Sequence, residues 1–231
     1  MRYSVIASTL ASVLLACLLG ACANTAGHSE THDGLVLQPD TRFGEVYLRP
    51  QADLSSYGAV GLEACSVAFR KNWQRDQNNS RMDLSNRVTQ QDVDRIKDAL
   101  SAACEKYFRE ALEQPPPYQL VDSFDGGEAV LVLRPAIINL DISAPDVFSP
   151  GRTRTYTTDS GEMTLLLEGR DGTTGEILFR IVDRQRALDT RRLQWTSSVT
   201  NQADAARALR RWASLLRQGL DRVTDPANNS I

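Results

Sequence analysis

The sequence predicts an α+β fold in a single domain, a mixed and largely antiparallel sheet with two long helices packed on one face. Three observations predict it. Two segments, Thr89 to Glu113 and Gln202 to Val223, repeat apolar residues at three- and four-residue steps, the period of a helix with one buried face. Two arms of alternating apolar and polar residues, Glu162 to Arg170 and Glu176 to Arg184, flank Asp171-Gly172-Thr173-Thr174-Gly175, a turn set tolerant of positive φ. Further apolar runs bounded by glycine and proline supply the remaining strands.

The chain opens with Arg2, then an apolar run from Val5 to Leu19 free of acidic residues, and then Leu19-Gly20-Ala21-Cys22. This is the order of a secretory leader. A leucine three before the cut, two small residues and an obligatory cysteine after it distinguish a lipoprotein leader. The thiol is the nucleophile that takes a diacylglycerol group, so Cys22 is the expected lipidation site. Cys17, behind Leu15-Ala16, is a poorer match. The run of about fifteen residues falls short of the ~20 that span hydrocarbon, and two or three acyl chains anchor firmly without spanning. Ala23, where an aspartate would argue for inner-membrane retention, favours the periplasmic face of the outer membrane. The expected division is 1–21 signal peptide, 22–44 lipidated N-terminus and flexible tether, 45–225 periplasmic domain and 226–231 disordered tail.

Within the domain, Gly58 to Phe69 is mostly apolar and predicts a first strand covered on both faces. Lys71 to Arg87 is polar and lacks a sustained period, which predicts an irregular excursion whose Trp73 packs back on the core. Thr89, with Asp92 three residues on, forms an imperfect capping box for the first long helix, and Pro115-Pro116-Pro117 ends it for want of an amide hydrogen. A short strand Tyr118 to Val121 follows. The long strand Ala129 to Ile142 contains Pro135, which predicts a bulge or an edge there. Ser143 to Asp159 is longer than usual connections and carries Pro145, Pro150 and Gly151. In the hairpin Met163, Leu165 and Leu167 alternate, as do Ile177, Phe179 and Ile181, with Arg180 and Asp183 assigned to polar positions. A further strand is expected around Trp195, between Arg186 and Ser198. The last helix sets Leu209, Trp212, Leu216 and Leu220 on one face with arginines mostly opposite, a docked helix in preference to a membrane-interface one.

Without its leader the chain has 25 basic and 29 acidic residues, a net charge of about −4. Such a balance gives no support to nucleic-acid binding. Cys65 and Cys104 remain beyond Cys22, in a compartment where disulfides persist. They are either a bridge or two buried thiols, because spacing along the chain does not give their separation.

His28 and His32 are the only histidines, and both fall in the tether, where solvation is favoured over a metal site. Histidine-dependent catalysis therefore has no base in the domain. No phosphate loop or dinucleotide fingerprint is present, since Gly169 to Gly175 joins strand to strand. No cofactor is expected.

The ordered segments Gly34-Leu35-Val36-Leu37-Gln38-Pro39, Tyr47-Leu48-Arg49-Pro50, Ala52 to Val60, Leu165 to Leu178 with Asp183-Arg184, and the tryptophan-bearing last helix resemble a family of bacterial lipoproteins catalogued as domain of unknown function 3313. The resemblance covers most of the mature chain. It implies a periplasmic lipoprotein with a mixed α/β domain, and it implies no activity. The polar insert Lys71 to Arg87 and the cysteine pair depart from the family pattern.

Two functions follow as expectations. The first is a non-catalytic binding or envelope-assembly module, anchored to the membrane by lipid, whose loop residues Asp146, Phe148, Arg152, Arg154 and Tyr156 engage an envelope protein or cell-wall component. The alternative is a carboxylate hydrolase acting on envelope polysaccharide, with Asp146, Asp159 and Glu162 as candidates, because two carboxylates suffice for glycoside hydrolysis.

Overall fold

A computed structural model describes residues 30–79, 87–124, 129–142, 156–157, 161–186, 194–195 and 198–224. The expected leader 1–21, Cys22 and the expected tail 226–231 lie outside the described residues. The elements in chain order are β1 (Val36–Leu37), β2 (Glu45–Leu48), a 3-10 turn (Leu54–Ser56), β3 (Ala59–Leu62), β4 (Ser66–Phe69), α1 (Trp73–Asn79), α2 (Gln90–Leu112), β5 (Leu120–Val121), β6 (Val130–Asp141), β7 (Tyr156–Thr157), β8 (Glu162–Asp171), β9 (Ile177–Arg186), β10 (Gln194–Trp195) and α3 (Ser198–Thr224).

Eight strands form one sheet in the order β1-β2-β9-β8-β6-β3-β5, with β4 also paired to β6, while β7 and β10 form a separate two-stranded pair. The β6, β8, β9, β2 and β1 neighbours are antiparallel, and β3 and β4 run parallel to β6. The fold is mixed α+β with two long helices on one face, as the periodicities predict. Leu165, Leu167 and Ile181 of the hairpin meet Leu100, Cys104 and Phe108 of α2 and Leu209, Trp212 and Leu216 of α3 in one core. The arginine-bearing last helix is thus docked by its apolar face: Leu209 and Trp212 are fully buried. At the start of α2 the Thr89 hydroxyl accepts from the Asp92 amide at 3.2 Å and the Thr89 amide donates back to the Asp92 carboxylate at 2.9 Å. The capping box is complete with aspartate in place of glutamate.

Several expectations are corrected. The expected flexible tether, 22–44, does not extend to residue 44. Val36 and Leu37 pair with Leu48 and Tyr47 on the sheet edge, and Leu35 is fully buried, so ordered structure is in place from Glu30 onward. Backbone pairing to β2 holds this segment where the lack of apolar period suggested none. The expected first strand is two, β3 and β4, interrupted at Glu63, Ala64 and Cys65. That interruption accommodates Pro135: β3 pairs with β6 up to Leu133 and β4 pairs with it only from Ala136, so the proline falls in the gap between these two parallel ladders, while on the other side of β6 it stays in register with Leu167 of β8. The bulge lies instead beyond Ile138, where Asn139 adopts φ 51°. Trp73 does pack on the core, at 1% exposure, but from within α1, a short helix in the segment read as irregular. Residues 80–86 lie outside the described residues. Between Arg186 and Ser198 only Gln194–Trp195 is described as strand, and α3 begins four residues before Gln202.

Asp183 is also corrected. It continues the parity of Phe179 and Ile181 and points into the core at 6% exposure. The alternation itself required this; polarity alone had suggested the outer face.

Candidate functional site

β6 leaves the sheet at Asp141, β8 returns to it at Glu162 opposite Asp141, and β9 leaves at Arg186, the partner of Glu162. Both long connections of the fold, 142–161 and 187–197, therefore emerge from the same end of the sheet. They pair with one another there: Tyr156 is in register with Trp195, and Thr157 with Gln194. Backbone hydrogen bonding joins two segments whose flanking strands are fixed in the main sheet, which makes this end the candidate interaction site.

The root of the paired loops is tightly held. The Trp73 indole donates to the carbonyl of Ile142 at 2.8 Å, with the ring stacked on Phe69 at 4.0 Å between centroids. Arg70 reaches Asp141 at 2.6 Å and Asp76 at 2.7 Å, tying α1 to the last residue of β6. Arg184 and Arg186 of β9 both reach the Glu162 carboxylate, at 2.5 and 2.9 Å. Gly161 sits at φ 110° with its α-carbon facing the carbonyl of Asp141, where a side chain would be strained as well as crowded.

The electrostatics of this root are those of matched ion pairs. Arg184, and then Arg186, hold the Glu162 carboxyl below the ordinary glutamate range against the opposing effect of partial burial. Arg70 lowers Asp76 in the same way. A glutamate so paired is poorly suited to serve as the proton donor of a glycoside hydrolase, a statement that concerns Glu162 alone. Asp141 neighbours Glu162 in register, yet its carboxylate is committed to Arg70.

Of the loop residues singled out from sequence, Tyr156 lies in β7, and Asp146, Phe148, Arg152, Arg154 and Asp159 lie outside the described residues, as does Cys22. Cys65 and Cys104 are brought together as a disulfide with α-carbons 6.1 Å apart, joining the β3–β4 break to the middle of α2. His32 is exposed beside Asp33. Among the described residues no group of three or more His, Cys, Asp or Glu is placed to hold a metal ion. Arg70, Trp73, Asp141, Arg184 and Arg186 were not anticipated as parts of the site. The pairing of strand ends that gathers them could have been read only for Arg184 and Arg186, from hairpin register, which sets Arg186 opposite Glu162 and Arg184 opposite Thr164.

A second charged cluster lies on the sheet face turned away from the helices. Arg180 reaches Asp33 at 2.6 Å and Glu168 at 2.9 Å, and Arg170 reaches Glu168 at 2.6 Å. It ties the segment before β1 to the centre of the sheet. A shallow cleft of about 420 Å³ lies at the opposite end from the paired loops, lined by Pro116, Pro117, Tyr118, Arg217, Asp221 and Thr224. Its guanidinium is already occupied: Arg217 donates to the carbonyls of Ala111, Leu112, Gln114 and Pro116 and to Asp221. It closes the C-terminus of α2.

A family model described as protein of unknown function (DUF3313) matches residues 33–216. The chain belongs to that family. The DUF3313 span opens at Asp33, the residue bound by Arg180, and closes within α3, so it encloses the whole main sheet. No curated protein matches the chain. Among solved structures, a PelC dodecamer from Paraburkholderia phytofirmans is similar at 11% identity and a TM-score of 0.37, over 74% of this chain and 96% of that one. A point variant of the same dodecamer gives 12% identity and a TM-score of 0.35, over 74% and 95%.

Proposed function

We propose that this DUF3313 chain is the precursor of a membrane-anchored periplasmic lipoprotein, acylated at Cys22 and held on the periplasmic face of the outer membrane. Its domain acts as a non-catalytic binding or envelope-assembly module. The motif Leu19-Gly20-Ala21-Cys22 carries the address. The disulfide between Cys65 and Cys104 supports it, because such bridges persist in oxidising compartments. Among the described residues no helix is long and apolar enough to cross a membrane.

The role as a binding module rests on the mutual pairing of the two long connections above a clamped root. The partner is an envelope protein or a cell-wall component, met by the paired loops. Labelled palmitate should enter the wild-type protein and not Cys22→Ala, which should leave the envelope fraction. Crosslinkers placed at Tyr156 or Gln194 should capture a partner that the same crosslinker at Thr173, at the other end of the sheet, does not. Equal capture from both positions would reject the paired loops as the contact.

A further inference from the structure

The point at which the chain joins the fold lies at the opposite end of the sheet from the paired loops. Glu30 bridges Val36, Val36 is opposite Leu48, and Leu48 is opposite Phe179, so the fold begins at the level of Phe179 near the start of β9. β9 then runs seven residues further to Arg186, about 23 Å at ~3.3 Å per residue, before the connection that forms β10 begins. Seven residues, eight backbone steps, separate Cys22 from Glu30. Backbone dimensions limit that stretch to a reach of at most about 28 Å.

These lengths decide the orientation. Were the paired loops against the bilayer, the tether would have to climb the full 23 Å beside the domain plus whatever height the loops add, which takes it to its limit of about 28 Å. Lying flat has no support either. Both long helices turn their apolar faces inward, and Val223, at 36%, is the one large hydrophobic exposed among the described residues, so no flank offers an apolar face to insert. The net negative charge of the mature chain further opposes adhesion to anionic lipid.

We infer that the domain stands with its hairpin end, Asp171 to Ile177, towards the bilayer, and presents the β7–β10 pair to the aqueous compartment. The paired loops then meet a water-borne macromolecule and not lipid. This rests on acylation at Cys22, proposed above, and adds the direction in which the anchored site faces.

The test uses the purified lipidated protein in vesicles of phosphatidylethanolamine and phosphatidylglycerol that carry an energy-transfer acceptor on their headgroups. A donor dye is attached at Thr173→Cys in the hairpin turn or at Lys71→Cys beside α1, both exposed. Along β6 these levels differ by about 30 Å, from Leu131 opposite Asp171 to Leu140 opposite Phe69. Transfer should be several-fold greater from position 173 than from position 71, and lengthening the segment after Cys22 with flexible residues should bring the two closer. Equal or reversed transfer with the natural tether would overturn the orientation, as would a ratio indifferent to tether length. Flotation of Cys22→Ala separates the two claims. If it leaves the vesicles while the labels report no difference, the orientation alone is wrong; if it stays bound, the anchoring is wrong and the orientation falls with it.

Discussion

The indole of Trp212 donates to the buried carboxylate of Asp183 at 2.6 Å, and the same side chain accepts the amide of Gly44 at 2.8 Å. One aspartate thus fixes α3 to β9 and the start of β2 to both. Arg211 approaches it at 3.4 Å and supplies the countercharge that a buried carboxylate needs. Asp183→Ala would leave an indole and an amide hydrogen unpaired in the core, at a cost of about 3 kcal/mol. Asp183→Asn should cost less than alanine, since its carbonyl can still accept from Trp212, but it should not be neutral, because its amide donor would face the Gly44 N–H with no acceptor between them. Urea unfolding of both variants, combined with Trp212→Phe in a double-mutant cycle, checks this; additive effects would disprove the coupling.

Arg217 tests the closure of α2. Its guanidinium satisfies four backbone carbonyls between Ala111 and Pro116. Arg217→Met keeps the stem and removes the donors, so the expected loss is about 2–4 kcal/mol. Arg217→Lys should recover only part of it, because an ammonium cannot span acceptors set out for a planar fork. Full recovery by lysine in thermal unfolding would show that charge, and not geometry, matters.

The disulfide closes a loop of 39 residues, which corresponds to about 4 kcal/mol in the chain-entropy treatment. The Cys65→Ser, Cys104→Ser protein should be less stable by that order. Both sulfurs are buried, so the native protein should resist reductant until denaturant is added. Rapid thiol labelling under native reducing conditions would contradict the observed burial.

Acid should weaken the outer cluster. Arg180, then Thr31, hold Asp33 well below the ordinary aspartate range, and although burial alone would raise Glu168, Arg170 and Arg180 outweigh it and lower it. Groups lowered on folding contribute their stability in full above their unfolded values, about pH 4 to 4.5. That contribution is lost as pH falls from there through the folded values. The urea midpoint should therefore drop across that window, and Glu168→Gln should flatten the drop. An unchanged slope in that variant would remove Glu168 from the account.

Gly169 is required by a close approach and not by its backbone angle. The Phe179 ring of the neighbouring strand lies over it where a β-carbon would stand. Gly169→Ala should destabilise by about 1–3 kcal/mol, and Phe179→Leu in the same chain should recover part of that loss. Calorimetry of the two variants decides; no recovery would place the strain elsewhere.

Local chemistry makes much of this protein legible in its residues. Thr89 and Asp92 announce the start of α2, the tripled proline announces its end, and the run Asp171 to Gly175 between alternating arms announces the hairpin. The stripe through Leu209, Trp212 and Leu216 announces a docked helix. Each signal is confined to residues a few positions apart, so the sequence alone determined it. The paired loops, the clamp of Trp73 and Arg70 on the end of β6, the salt bridges of Glu162 and the anchoring of Glu30 to Leu37 depend on partners beyond one turn or one local motif, from 10 residues for Leu37 and Tyr47 to 147 for Arg180 and Asp33. Their pairing is set by strand order and register, which no periodicity encodes, and so only the tertiary structure decided which end of the sheet carries the segment from Glu30 to Leu37 and which carries the paired loops.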